Sequence, residues 1–220
     1  MRNKNAEMRN MDFITEPTEI ENKSLQIISD KLANRQFQSE NMSIIKRVIH
    51  TTADFDYADN LVFSDRAVDI AKGALLSGAV IVTDTQMGRA GINKRTTALI
   101  GSDVHCYIDD PIVVETAKMS GMTRARVAID RAIEMLNKPI IFAIGNAPTA
   151  LIRLYELVTS QAYIPVMIIA VPVGFVNVVE SKEQILSLQT PHIVAKGQKG
   201  GSNVAAAICN AILYEISRKE

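Results

Sequence analysis

The stretch PIIFAIGNAPTALIRLYELV, residues 139–158, joins two patterns that together set the fold class. Its first seven residues form a short apolar run, which is typical of a strand buried on both faces of a sheet. Residues 148–158 instead place apolar side chains three or four positions apart, the spacing of an amphipathic helix. A buried strand followed directly by such a helix is the repeating unit of a parallel sheet, so this stretch predicts an α/β fold.

The same alternation continues on both sides of that stretch. Right-handed crossovers between parallel strands would place the intervening helices on both faces of the sheet. We therefore predict a three-layer α/β fold with a mainly parallel five-stranded sheet, preceded by an N-terminal helical segment. The other four predicted strands are residues 79–84, 103–108, 166–172 and 192–196.

Length and composition favour one large domain. The chain has 220 residues, of which 47% are hydrophobic, enough to bury one sizeable core. Residues 1–11 are polar and are interpreted as a flexible tail. Pro17 then begins an amphipathic helix, and a second helix follows before residue 52. We predict a single domain over residues 12–220.

Charge and cysteine content argue against several classes of protein. The 24 basic and 24 acidic residues balance, so no global field favours nucleic acid or a membrane surface. The two cysteines, Cys106 and Cys209, lack the spacing of a zinc site or a disulfide framework. The N-terminus has no apolar signal segment, and the longest apolar run is interrupted by prolines. We expect a soluble cytoplasmic protein with no nucleic-acid or membrane partner and no metal site.

The loops after the predicted strands are the expected location of a ligand, because open α/β sheets bind ligands at the carboxyl ends of their strands. None of these loops contains a P-loop or a GxGxxG motif, so nucleotide binding has little support. Asn146 and Ser202 mark two helix N-termini there, whose backbone donors suit an anion. Gly200 and Gly201 could equally form only a tight turn.

The segment TRAR, residues 123–126, adds a positive charge to this crevice. Thr123 has the character of an N-cap, which puts Arg124 in the first helical turn, where a cation opposes the helix dipole unless an anion is bound. The alternatives are that Arg124 points to water or pairs with an acid such as Glu115. Several anion-binding groups in one crevice favour a large ligand with several negative charges.

Three histidines are present, and their settings differ. His105 and His192 lie inside predicted strands, where a packing role is expected. His50 lies near the end of a helix, beside Lys46 and Arg47 and off the apolar face. It is either a cap or packing residue or a general acid or base, because imidazole exchanges protons near neutral pH.

Six segments together resemble, in order, the precorrin-8X methylmutases of cobalamin biosynthesis, a family that includes the cobalt-precorrin-8 methylmutases. The resemblance runs from about Asp12 to the C-terminus. It implies a homodimeric α/β isomerase that moves a methyl group from C-11 to C-12 of a corrin precursor. The segments are RVIHTTADFDYA (47–58), TDTQM (83–87), SGMTRA (120–125), IGNAPTAL (144–151), PVGFVNVVESKE (172–183) and KGGSNVAAAICNAIL (199–213).

The resemblance also implies roles for individual residues. His50 corresponds to the proposed proton donor, and Arg124 is expected near the migrating methyl group or a substrate carboxylate. No cofactor is implied, and cobalt, when present, belongs to the substrate. Pro17, Ile20, Glu21 and Ser24 resemble members that act on cobalt-containing intermediates. The implied substrate-binding residues are Ser24, Thr51, Asp84, Thr123, Asn146, Lys199, Gly200, Gly201 and Ser202.

Two other functions compete with this one. A non-catalytic corrinoid carrier could use the same crevice, but it would have no need of a proton donor at His50. A phosphoester enzyme could use the glycine-rich loop, but the chain lacks a P-loop and the carboxylate cluster of a catalytic metal site.

Overall fold

The computed structural model of the chain describes residues 13–217, and contacts within the chain divide it into residues 1–36 and residues 37–220. In the first unit, helix α1 (Pro17–Leu32) begins at the predicted proline, and the Glu16 carboxylate caps it by accepting the N–H of Glu19. The predicted tail over 1–11 lies outside the described residues. The single domain over 12–220 stays a prediction.

The second unit is built on a mixed six-stranded sheet with the order β1-β6-β5-β4-β2-β3. All five predicted strands are present and pair in parallel, which confirms the α/β class. The apolar run 103–108 contributes a strand of only two residues. The strands are β1 (Leu61–Phe63), β2 (Val80–Thr83), β3 (Val104–His105), β4 (Ile140–Ile144), β5 (Met167–Ala170) and β6 (His192–Ala195).

The prediction of five strands missed the edge strand β1. This strand is three residues long and pairs antiparallel with β6, from Leu61 opposite Ala195 to Phe63 opposite Ile193. Three residues are too few to show a period of two in the sequence. The hydrogen-bond partner that makes the segment a strand lies far away in the chain, so the sheet has six strands instead of five.

Helices cover both faces of the sheet, which confirms the three layers. On one face, α8, α9 and α10 pack with Phe142 and Ile168 in a buried core. On the other, α4 and α11 contact β5, and α2 packs against α11. The helices of this unit are α2 (Ser39–Thr52), α3 (Tyr57–Asn60), α4 (Ala67–Leu76), α5 (Gln86–Gly91), α6 (Lys94–Leu99), α7 (Pro111–Ser120), α8 (Arg124–Met135), α9 (Pro148–Thr159), α10 (Val178–Leu186) and α11 (Ser202–Ser217).

The strand order reverses between β2 and β4. From β2 the chain passes outward to β3 on one side and then returns to β4 on the other. The connection that follows β2 thus runs toward β3, and the one that follows β4 runs to the other side, toward β5. This opens a crevice at the carboxyl ends of β2 and β4, the usual ligand site of such sheets.

Candidate functional site

Asp84 follows β2 directly and closes the base of the crevice. Its carboxylate is 4% exposed and accepts the backbone N–H groups of Gly145 (2.9 Å), Asn146 (2.8 Å) and Ala147 (2.6 Å). Burial raises the pKa of Asp84, and these hydrogen bonds act in the opposite direction because they stabilise the charged form. Asp84 therefore holds the loop after β4, and its predicted substrate contact stays a prediction.

This contact also corrects the interpretation of Asn146. The sequence suggested that the backbone donors before α9 are open to an anion, but the N–H of Asn146 and those of its two neighbours bind Asp84. The Asn146 side chain itself is exposed. A contact from Asn146 to a ligand would thus come from its amide group.

The glycine-rich loop 197–201 packs tightly against the chain that follows β5. The Gly201 N–H donates to the Val171 carbonyl over 2.8 Å. A side chain at Gly200 would collide with the Val171 carbonyl and lie 2.6 Å from that of Pro172. Gly200 is therefore required by close backbone approach, a stronger constraint than a tight turn.

Ser202, the first residue of α11, joins the same loop to the end of β2. Its hydroxyl lies 2.7 Å from that of Thr85, which also caps α5 by accepting the N–H of Gly88. A side chain at Gly145 would approach the Cα of Ser202 to 2.6 Å. The loops after β2, β4, β5 and β6 thus meet in one place.

Lys199 connects this loop to the segment after α2. Its ammonium group donates to Asp54 and to Asp56, each over 2.6 Å. Hydrogen bonding to both carboxylates raises the pKa of Lys199, and the hydrogen bond from Lys199 lowers that of Asp54. The predicted anion-binding lysine is therefore bound to two acids of the chain, neither of which the sequence analysis singled out.

His50 and Thr51 lie in the last turn of α2, just before that acidic segment. His50 is half-buried, and the Thr51 hydroxyl donates to the Arg47 carbonyl over 2.8 Å. The Arg47 guanidinium lies 5.2 Å from the centre of the Tyr214 ring. The helix ends at Ala53 in a left-handed conformation (φ 54°), which turns the chain toward Asp54 and its contact with Lys199.

A second group of candidate residues surrounds the start of α8. Thr123 caps this helix as predicted, accepting the N–H of Arg126, and its hydroxyl lies 2.8 Å from that of Thr149 in the first turn of α9. Arg124 pairs with Asp109 over 3.3 Å, and its side chain is 54% exposed. Arg124 is thus available at the surface, with Asp109 in place of the suggested Glu115 as its acidic partner.

The other two arginines of α8 are held more firmly. Arg126 makes two hydrogen bonds to Glu156, of 2.8 and 2.6 Å. The Arg131 side chain is only 15% exposed and pairs with Asp110 and Glu134. Of the three, Arg124 has the most exposed ion pair, so it is the one best able to exchange its partner for a ligand.

The remaining histidines have local partners. The His192 ring lies 2.9 Å from the Thr190 carbonyl and is buried, while His105 stacks on Tyr107 with 6.1 Å between ring centres. Burial lowers the pKa of His105. Both fit the packing roles that their strand positions predicted. Ser24 lies on α1 in the first unit.

Comparison with known proteins assigns a family to this architecture. The family model described as precorrin-8X methylmutase matches residues 19–215, nearly the whole chain. The chain belongs to the precorrin-8X methylmutase family. Methylmutases are isomerases that transfer a group within one molecule, so the chain is a member of a family of enzymes.

Individual methylmutases match over comparable lengths. A cobalt-precorrin-8 methylmutase from Salmonella typhimurium is 46% identical over 211 residues, which cover 94% of this chain and 99% of that protein. A precorrin-8X methylmutase from Sinorhizobium sp. is 33% identical over 207 residues, 93% of this chain and 98% of that protein. The crystal structure of precorrin-8x methyl mutase from Thermus thermophilus superposes with a TM-score of 0.83 at 33% identity, covering 91% of this chain and 98% of that chain.

One polar residue beside the crevice of this methylmutase was missed by sequence reasoning. The side chain of Lys182 on α10 is fully buried, and its ammonium group donates to the carbonyls of Gly197 (2.7 Å) and Lys199 (2.8 Å). Burial lowers the pKa of Lys182 to about 8. A usable signal existed, because Lys182 lies on the apolar face of α10 between Val178 and Ile185, at helical spacing.

Two features are absent from the described part of this methylmutase, residues 13–217. No helix there is long and apolar enough to cross a membrane. No group of three or more His, Cys, Asp or Glu side chains there is arranged to hold a metal ion.

Proposed function

We propose that this chain moves a methyl group from C-11 to C-12 of precorrin-8 or its cobalt complex, giving hydrogenobyrinate or cobyrinate. Family membership supports the reaction class. The observation that carries the assignment to this crevice is the contact of Lys199 with Asp54 and Asp56, since it joins the segment after His50 to the glycine-rich loop. A candidate proton donor and candidate anion-binding groups thereby belong to one continuous region.

The substrate class fits the charges of the crevice. A corrin precursor carries several acetate and propionate arms, and these carboxylates would bind Arg124, Lys199 and the backbone N–H groups of Gly200 and Ser202. Hydroxyl and amide groups of Thr51, Thr123 and Asn146 would add neutral hydrogen bonds. Lys199 must then release Asp54 or Asp56, at least in part, when a substrate carboxylate arrives.

His50 supplies the acid in this proposal. Protonation of a ring nitrogen or an adjacent carbon would polarise the conjugated macrocycle toward the shift, and a positioned acid contributes roughly 100- to 10,000-fold. The rearrangement is redox-neutral and the methyl group is already on the substrate. We therefore expect no cofactor and treat cobalt, when present, as part of the substrate.

The cobalt complex is the favoured substrate. The Salmonella typhimurium relative named for the cobalt complex is 46% identical to this chain, whereas the Sinorhizobium relative named for precorrin-8X is 33% identical. The pattern of Pro17, Ile20, Glu21 and Ser24 points the same way. A higher kcat/KM for cobalt-precorrin-8 than for metal-free precorrin-8 is the expected result.

The homodimer and the cytoplasmic location stay predictions. The family resemblance implies a dimer whose active site is built partly by the partner chain. Sedimentation of the purified chain at micromolar concentration should therefore show a dimer, and a monomer alone would contradict it. Fractionation of the source cells would check the location.

The decisive experiment is spectroscopic. Purified protein is incubated with precorrin-8 or cobalt-precorrin-8, and the visible absorbance is followed, because the shift alters the conjugation of the ring. Conversion to the product spectrum is expected. Binding with an unchanged chromophore would favour the corrinoid carrier, and absence of both binding and conversion would contradict either role.

A further inference from the structure

Lys182 places a charge where an apolar residue would fit at lower cost. Its side chain is fully buried, and Val178 and Ile185 on the same face of α10 are buried as well. An ammonium group in such a place loses most of its hydration. Within residues 13–217 no carboxylate lies within salt-bridge distance of Lys182. Two carbonyl oxygens, those of Gly197 and Lys199, offset the loss instead.

These two hydrogen bonds fix the orientation of two peptide units. In a trans peptide the C=O of one residue and the N–H of the next point in opposite directions, and the described chain has no cis peptide bond. With the Gly197 and Lys199 carbonyls turned inward to Lys182, the N–H groups of Gln198 and Gly200 point away from the buried ammonium. Both donors therefore lie on the side of the loop opposite Lys182.

The peptide unit between Gln198 and Lys199 is fixed in a different direction. The Gln198 carbonyl accepts the N–H of Gly174 over 3.1 Å, and the Gly201 N–H donates to Val171. Loop 197–201 is thus hydrogen-bonded at successive residues to Lys182 and to the chain that follows β5. The positive charge of Lys182 lies 2.7 and 2.8 Å behind the two carbonyls, which polarises both peptide units toward an anion in front of them.

We propose that Lys182 is a positioning residue, which holds loop 197–201 so that the N–H groups of Gln198 and Gly200 bind one carboxylate arm of the substrate; this rests on the function proposed above. Lys182 itself does not touch the substrate. The site formed by the two N–H groups takes a carboxylate because both donors point away from Lys182 and this buried cation lies behind them.

The test replaces the buried charge by an apolar chain of similar length, Lys182→Met. Lys138→Met is the matched control, because Lys138 is exposed and precedes β4, at the edge of the sheet opposite the crevice. We expect Lys182→Met to raise KM and to weaken binding of the corrin product by about tenfold or more, with kcat at saturation within about twofold of the wild type. Lys138→Met should change neither constant.

A second measurement uses the wild-type protein and does not depend on the variant. In the ¹⁵N-labelled full chain, addition of the corrin product should shift the amide protons of Gln198 and Gly200 downfield, as expected for N–H groups that gain a charged acceptor. The amide of Lys138 serves as the reference. If Lys182→Met fails to fold, this measurement decides alone.

Three results would overturn the proposal. One is an unchanged KM in folded Lys182→Met, another is a loss confined to kcat, and the third is the absence of shifts at Gln198 and Gly200 on product binding. If the wild type still binds and converts its substrate, any of these three results would leave the proposed methylmutase function intact. A wild-type protein that does neither would contradict that function itself.

Discussion

A single methyl group at Gly145 or Gly200 would disrupt the crevice. A Cβ at Gly145 would lie 2.6 Å from the Cα of Ser202, and one at Gly200 would collide with the Val171 carbonyl. The sequence suggested a turn at Gly200 but could not predict these collisions, because the atoms involved come from distant strands. At this scale the site depends on small residues that let four loops meet.

His50 carries the catalytic prediction. His50→Asn keeps hydrogen-bonding capacity and approximate size but removes the acid, so turnover should fall by about 100-fold or more while product binding and the thermal transition stay nearly unchanged. Stopped-flow absorbance and calorimetry would measure the two effects separately. If His50 is only a cap or packing residue, the variant should lose stability and the folded fraction should turn over normally.

Arg124 carries the main charge prediction. Its ion pair with Asp109 is long and exposed, so Arg124→Ala should cost little stability. Loss of a charged hydrogen bond to a substrate carboxylate should instead lower kcat/KM by about tenfold or more. Arg131 is a poor control because it is itself paired and mostly buried, so Lys138→Ala is the better comparison. Equal and small effects of the two variants would remove Arg124 from the site.

At the scale of elements, long periodic segments were predictable and short ones were not. The patterns that predicted α8, α9 and α11 each span twelve residues or more. Helix α6 has only six residues. The Asn93 side chain caps it by accepting the N–H of Thr96, and the Asn93 N–H donates to the side-chain oxygen of Asn210. Such elements are stabilised by tertiary contacts, which leave no period in the sequence.

Lys199 joins the loop after β6 to the segment after α2, and its replacement tests what this contact contributes to substrate binding. Lys199→Ala would leave Asp54 and Asp56 side by side without their cation, and their charges would repel the carboxylates of the substrate. We expect KM to rise several-fold, with little change in the thermal transition, because the Lys199 and Asp56 side chains are 45% and 67% exposed. Replacing both acids by Asn in the same chain should recover part of the affinity. A kinetic comparison of the single and triple variants measures this, and an unchanged KM for Lys199→Ala would exclude the role.

For the molecule as a whole, topology decides which residues can cooperate. The hydrogen bond from Gly145 to Asp84 joins positions 61 residues apart, and that between Thr85 and Ser202 joins positions 117 apart. The sequence predicted the strands and the edge of the sheet at which their loops gather, because parallel strands place their carboxyl ends together. It could not predict that Asp84 would bind the loop after β4, because no local sequence pattern specifies that β2 and β4 are neighbours in the sheet.

Stability against pH offers a test of the whole molecule through Lys182. Burial lowers the pKa of this group from 10.5 to about 8 in the folded chain, whereas a solvated lysine in the unfolded chain keeps the higher value. At a pH between these two pKa values, the unfolded state binds more protons at Lys182 than the folded state does. The free energy of unfolding should therefore rise with pH in this range. Below about pH 8 both states are protonated, and the cost of the buried charge is constant.

The comparison with Lys182→Met isolates this effect, because the other titrating groups are common to both proteins. The stability of the wild type relative to Lys182→Met should increase by about 2–3 kcal/mol from about pH 7 to about pH 11, at roughly 1.4 kcal/mol for each unit of pKa difference. Urea unfolding at several pH values measures the difference, with Lys138→Met as a control that should remain level with the wild type. A pH-independent difference for Lys182→Met would mean that the two carbonyl hydrogen bonds fully compensate the burial of the ammonium group.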